Sequence, residues 1–378
     1  MDPDFIYLDY NATTPVDSRV VAAMRPFLER EFGNPSSAHR YGAAAAAAVS
    51  AARRQVARLI GCSADELLFV SGGSEANNHA IRGVAAARGE ARPRIVTSTV
   101  EHPAVSVVCD HLAERGFDVT RLPVDRHGLV DPGALERVVD ERTALVTVMH
   151  ANNEVGTVEP IAELAAIAHR HGALMHSDCA QSLGKIAVDV DQLQVDLLSI
   201  AGHKLYAPKG VGALYVRRGV ELPPLIYGAG HEAGRRAGTE NVLGVVGLGA
   251  ACELARAALA AEGERLRGLR DRLQEELQRR FPELVVHGHP QLRLPNTLSV
   301  SWPGVSARAL LQRLDGVAAS AGAACHGDAV SASATLAAMG VAEPLARGAV
   351  RFSVGRQTTE EEIEQAIILI AAAVAAAR

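Results

Sequence analysis

Lys204 sits where a lysine can do covalent chemistry. It follows Ala201, Gly202 and His203 at the end of the apolar run Val195–Ile200, and it precedes Leu205–Gly212, a turn leading into another strand. An amine at a strand end, beside a histidine and among glycines, is poorly placed as a solvated surface charge. It is well placed to condense with an aldehyde to a Schiff base. Most lysines are only surface charge, but Asp178 changes the balance. It ends the preceding strand-like run, Ala173–Ser177. A carboxylate and a lysine at the ends of successive strands can serve both ends of an electron-accepting ring. The first keeps a ring nitrogen protonated and the second holds the aldehyde carbon. The alternative for Asp178 is to cap a helix that begins at Ala180, Gln181, Ser182 and Leu183.

Ser71–Asn78 follows a strand and opens a helix. Backbone N–H groups at a helix start, glycines that allow close approach (Gly72, Gly73) and the Ser74 hydroxyl suit a phosphate. A tight turn with a serine cap is the alternative. The segment is not G-x-x-x-x-G-K-[ST], which argues against nucleotide binding. His102 follows the strand Arg94–Thr99, where it can stack on a flat ring and exchange protons, or simply pack. Asn152, Asn153 and Glu154 close another strand and can contact a cofactor hydroxyl or a substrate carboxylate, or form a turn. Gly238, Thr239, Glu240 and Asn241 follow Arg235 and Arg236 and can reach a phosphate or stay solvated. The ligand that needs such an imine-forming lysine and ring carboxylate is pyridoxal phosphate.

These residues need a scaffold of parallel strands. Strand-like runs lie at Leu67–Ser71, Arg94–Ser98, Asp118–Leu122, Ala144–His150, Ala173–Asp178, Val195–Ile200 and Val211–Val216, with alanine-rich or amphipathic stretches between most of them. That alternation predicts an α/β domain with a mostly parallel seven-stranded sheet covered on both faces. The last two runs are close together, so one of them can pair antiparallel. Ala43–Ala48 reads as part of a long helix. Leu254–Arg280 reads as another, and beyond it the shorter runs Leu284–His287, Thr297–Ser301, Val317–Ala319 and Ala349–Ser353 predict a smaller α+β domain. The division expected is 12–258 for the large domain and 1–11 with 259–378 for the small one. The 378 residues, 48% of them hydrophobic, are enough for two cores. A net charge of −5 without charge blocks argues against a nucleic-acid surface. No uninterrupted apolar run reaches membrane-span length, and the N-terminus lacks a signal-peptide core, so a cytoplasmic chain is expected. The five cysteines contain no C-x-x-C pair, so neither structural zinc nor a dithiol is expected. Four of them sit among apolar or helical residues. Cys325 lies among small residues with a charged stretch after it, as a thiol does that must meet a substrate and then hand over its cargo; His326 can help ionise it.

Together these segments resemble the cysteine desulfurase and selenocysteine lyase family, class V of the fold-type-I pyridoxal-phosphate enzymes. The resemblance runs nearly end to end and includes Tyr7–Pro15, Gly33–Ser37, Gly202–Lys204 and Arg351–Arg356. It implies that Lys204 carries the cofactor, that Asp178 partners the pyridine nitrogen, that Gln181 contacts the ring hydroxyl and that His102 stacks and handles protons. It implies phosphate contacts from Gly73, Ser74 and His203, and from Thr239 across a homodimer. Asn11, Asn34, Asn153 and Arg351 match substrate positions, with Asn153 also beside the cofactor, and Cys325 matches the sulfur-accepting nucleophile. The implied reaction takes L-cysteine to L-alanine and passes sulfur as a persulfide to an acceptor protein.

The chain departs from the family at some points. Ala201 stands where many members carry a phosphate-binding serine. The residues around Cys325 look more like the selenocysteine lyase branch, whereas the spacing from Cys325 to Arg351 looks like that of long-loop bacterial desulfurases. Pro103 stands where animal selenocysteine lyases have an acidic residue. L-cysteine is the expected substrate, with L-selenocysteine the alternative. An aminotransferase or β-lyase on the same fold is the remoter one.

Overall fold

The computed structural model describes residues 5–321, 325–326, 329–330 and 333–378; for 325, 326, 329 and 330 it describes the backbone alone. The strands are β1 Ile6–Tyr7, β2 Leu67–Val70, β3 Arg94–Ser98, β4 Asp118–Leu122, β5 Thr143–Thr147, β6 Leu174–Asp178, β7 Leu197–Ala201, β8 Gly212–Val216, β9 Val285–His287, β10 Thr297–Ser301, β11 Val317–Ala318, β12 Ser320–Ala321, β13 Cys325–His326, β14 Ala329–Val330 and β15 Val350–Ser353.

All seven runs expected of the large domain form one sheet, in the order β2-β8-β7-β6-β5-β3-β4. Only β8 runs against its neighbours β2 and β7. Strands β2, β5, β6, β7 and β8 are buried along their whole length, which is why they read as continuous apolar runs rather than alternating ones. One face packs on the helix Gly73–Arg88 through Ala76, Ala80, Ile81 and Val84. The other packs on Arg40–Ile60, the alanine-rich helix, and on the first part of Val242–Arg280. Because β8 alone is reversed, β2, β3, β5, β6 and β7 all end at the same sheet edge. A parallel sheet presents its ligand site at that edge.

The smaller domain has the sheet β12-β15-β10-β9, with β1 paired to β11 beside it. Its core gathers Trp302, Leu310, Phe352, Ile367 and Ile370 with Ile6 and Leu8 from the chain start. The final helix, Glu360–Ala377, begins with the Thr359/Glu362 capping box that its sequence predicts. Helix Val242–Arg280 begins earlier than the sequence pattern suggests, because the Asn241 side chain caps it at the Gly244 amide. Part of this helix is long and apolar enough to cross a membrane, which a search for uninterrupted runs misses. Yet Val245, Leu248 and Cys252 lie in the large core, and Leu266, Leu269 and Leu273 lie in the small one.

Candidate active site

The sheet edge opens on a cavity of about 420 Å³. Of the expected site residues, Asn11, Gly73, Ser74, His102, Asn153, Asp178, Gln181, His203, Lys204 and Arg351 line it. The strand ends supply most of them: β2 leads to Gly73, β3 to His102, β5 to Asn153, β6 ends on Asp178, and β7 leads to Lys204.

Helix Gly73–Arg88 starts with no side-chain cap. Its first N–H groups are therefore available to an anion at the positive end of a long helix. A side chain on Gly73 would begin 3.2 Å from the Ala201 Cβ, so the absence of one keeps this corner open. Asp178 accepts from Asn77 Nδ2 at 2.6 Å and from the Ala180 amide at 2.9 Å. The second bond is the capping contact that the sequence allowed, but Ala180–Ser182 form a turn and not a helix. Asn77 Oδ1 is buried at the cavity wall without a partner among the described residues.

Lys204 donates to the backbone carbonyls of Asn11 and Ala12. Burial and then Arg351 lower its pKa to about 8, against the opposing pull of Asp9 and Asp178. His102 caps the helix Pro103–Glu114, with Nδ1 accepting from the Ala104 amide at 3.1 Å. That bond leaves the proton of the neutral ring on Nε2. Burial lowers the His102 pKa, and it brings the His203 pKa to about 4 with help from Lys204. Both rings are therefore neutral near pH 7.

Elsewhere on the cavity wall, Arg351 donates to Asp9 Oδ1 at 2.7 Å and to the Asn153 carbonyl at 2.9 Å. Its buried Nε has no partner among the described residues. The same Asp9 accepts from Ser320 Oγ at 2.8 Å, where β12 leads toward Cys325. Glu154 accepts from Ser333 and Thr335 on the far side of that segment. Cys325 lies in β13, paired antiparallel with β14, and its side chain is outside the described residues.

Some expectations change in the folded chain. The Asn11 side chain has no capacity left for a substrate. Its oxygen accepts from Lys185 and Asn296, and its nitrogen donates to Thr297 Oγ1 and the Asn153 carbonyl. Only its backbone carbonyl serves the cavity wall. Asn34 stands apart from the cavity, in an exposed turn where it accepts from the Ser36 amide. Thr239 lines a separate hollow with Ser71, Arg236 and Asn241. Sequence reading missed Asn77, Asp9 and Lys185. Their signal was present but weak, since each stands within a few residues of a motif residue. Of the other cysteines, Cys109, Cys179 and Cys252 are buried and Cys62 is half-buried. Burial pushes the thiols of Cys62, Cys109 and Cys179 up to about 12, so they are poor nucleophiles.

Comparison with known proteins agrees with this geometry. Residues 6–366 match the model of the class-V aminotransferase family. A cysteine desulfurase IscS of Dictyoglomus turgidum is 47% identical over 95% of this chain and 91% of its own. A cysteine desulfurase of Gluconacetobacter diazotrophicus is 46% identical over 96% and 91%. Among solved structures, a NifS-like protein superposes with a TM-score of 0.92 at 37% identity, covering 98% of this chain and 99% of its own. SspA, solved in complex with cysteine, gives 0.83 at 35% over 92% and 98%. In sequence and fold, this chain belongs to the class-V aminotransferase family, among its cysteine desulfurases.

Proposed function

We propose that the chain works as a cytoplasmic homodimer that uses pyridoxal phosphate to convert L-cysteine to L-alanine, takes the sulfur onto Cys325 and passes it to an acceptor protein. The observation that carries this reading is the meeting of Lys204, Asp178, the uncapped helix start at Gly73 and Ser74, and the Arg351 guanidinium in one cavity. The residues present fit the cofactor. They offer an anion site without a side-chain cap, an orphaned amide oxygen on Asn77, and a carboxylate and an amine of reduced basicity on one wall. Bound there, the cofactor supplies an electron sink that weakens the bonds at the substrate α-carbon.

Gly73, Ser74 and His203 would hold its phosphate, and Thr239 of one protomer would reach the phosphate of the other. Asp178 would pair with the ring nitrogen, Gln181 and Asn153 would contact the ring side, and neutral His102 would cover its face. Lys204 would hold the cofactor and, once released by the substrate amine, move the α-proton. Arg351 would trade part of its contact with Asp9 for the substrate carboxylate, which its planar fork can grip with two parallel bonds. The Cys325 thiolate then attacks the substrate sulfur. The carbon–sulfur bond breaks, its electron pair stays with the β-carbon, and that carbon takes a proton. A sulfur–sulfur bond forms, so cysteine and one thiol give alanine and one persulfide. The half-buried or buried state of the other thiols leaves this role to Cys325.

Anaerobic turnover of the purified protein with L-cysteine and a reducing thiol should give alanine and sulfide in equal amounts. Pyruvate and ammonia in their place would indicate a β-lyase. A strong bias toward L-selenocysteine would indicate the lyase branch.

A further inference from the structure

Lys185 has no role in the reading above, yet it is joined to two residues of the site wall. After the turn at Ala180–Ser182, Gly184 takes a φ of +77°, and Lys185 follows it with its amine on two residues of the cavity wall. A side chain at Gly184 would begin 2.1 Å from Leu205 Cδ1, so this path depends on glycine. Lys185 Nζ then donates to Gln181 Oε1 at 2.8 Å and to Asn11 Oδ1 at 3.0 Å. Both acceptors are neutral amides. The charged groups that act on Lys185 are Lys204 and Arg351, both cationic, and burial with this repulsion holds its pKa well below the usual lysine range. Among the described residues no carboxylate pairs with it, so its hydrogen bonds to the two amide oxygens are its polar anchors.

We propose that Lys185 is a positioning residue that locks the Gln181 amide so that it presents an N–H to the cofactor's ring oxygen. The Gln181 oxygen faces the Lys185 amine, and its Nε2 donates to the Asn11 carbonyl at 3.0 Å. A flipped amide would set its oxygen against the Asn11 carbonyl and withdraw the acceptor to which Lys185 Nζ now donates. The remaining Nε2 proton is what the side chain offers the cavity that it lines. Lys185 also fixes the Asn11 oxygen, and the Asn11 carbonyl is where Lys204 docks. One amine thus orients both the Gln181 amide and the Asn11 residue on which Lys204 docks. This inference deepens the proposed function and rests on its assignment of Gln181.

The test uses the cofactor-loaded wild-type protein and the variants Lys185→Met and Lys185→Gln at one fixed pH. A donor at the ring oxygen favours its ionised form, which absorbs in the visible. Lys185→Met should weaken the visible band in favour of the near-ultraviolet one and raise the cofactor Kd by about tenfold, the equivalent of one lost hydrogen bond. Lys185→Gln keeps an amide donor and should restore part of both. The apo-protein melting temperature of Lys185→Met should stay within about 3 °C of wild type, because removing a buried amine offsets the donor lost to the Gln181 and Asn11 oxygens. Unchanged absorbance and affinity in Lys185→Met would overturn the proposal. So would spectral loss that tracks a fall in apo-protein stability and that Lys185→Gln does not restore. Wild-type protein that takes up no cofactor would instead contradict the proposed function itself.

Discussion

The reduced basicity of Lys204 sets the pH at which the empty protein takes up its cofactor. Only a neutral amine condenses with an aldehyde. With a pKa of about 8, the neutral fraction is about one-hundredth at pH 6, about one-tenth at pH 7 and about half at pH 8. The loading rate should therefore rise about tenfold from pH 6 to pH 7 and level off above pH 9, where an ordinary lysine would still be climbing steeply. Burial is the largest cause of the shift, Arg351 comes next, and Asp9 and Asp178 oppose both. Arg351→Gln removes a nearby cation and leaves the burial in place, so the midpoint should move up, but by less than about one unit. The assay is the growth of visible absorbance when apo-protein meets excess pyridoxal phosphate across this pH range. A midpoint near 10, or a downward shift in Arg351→Gln, would refute the electrostatic reasoning.

Other predictions follow from the same geometry. Arg351→Lys cannot span Asp9, the Asn153 carbonyl and a carboxylate together, and steady-state kinetics should show KM for L-cysteine raised about tenfold or more with the visible cofactor band intact. Gly184→Ala forces a side chain into Leu205 at a left-handed position and should destabilise the fold by about 1–3 kcal/mol, read by urea unfolding. Glu101, which accepts from Ser98 and from the Met149 amide, has its carboxyl pushed up to about 8 by burial. Folding therefore favours its protonated form. The stability it contributes is complete below the ordinary glutamate pKa and is lost as pH rises toward 8. Glu101→Gln should flatten that loss in melting curves from about pH 5 to pH 9, while buried Glu159, with the same upward shift, keeps part of it. A variant that loses stability with pH as steeply as wild type would count against Glu101 titrating in the folded state.

Most of the sheet was legible because β2, β5, β6, β7 and β8 are buried along their whole length and so read as unbroken apolar runs. The cavity was legible for the same reason. Chemistry at a parallel sheet edge falls at strand ends, and Asp178, Lys204, His102 and Asn153 each stand at or just past one. What was not legible depends on contacts far apart in sequence. The saturation of Asn11 requires Lys185, Asn296 and Thr297 to meet it, and no local pattern encodes that meeting. Lys185 reads as an ordinary lysine until its amine meets two residues of the cavity wall. Asp178 caps the Ala180 amide with one oxygen, at a turn rather than a helix start, and holds Asn77 with the other, a contact that no local pattern announces. The early start of helix Val242–Arg280 was hidden by glycines at Gly244, Gly247 and Gly249, which weaken a helical pattern but let the helix pack close against Asn241, Met24 and Ala52.

The central claim is that Cys325 accepts the substrate sulfur. Its most direct test is a single anaerobic turnover with L-cysteine in the absence of reductant, followed by alkylation and mass spectrometry of the Cys325 peptide in wild type and Cys325→Ser. One added sulfur should appear on Cys325 for each alanine formed, and the variant should form neither product although its visible cofactor band persists. Alanine formed by Cys325→Ser at the wild-type rate, or the added sulfur found on another cysteine, would contradict that role for Cys325.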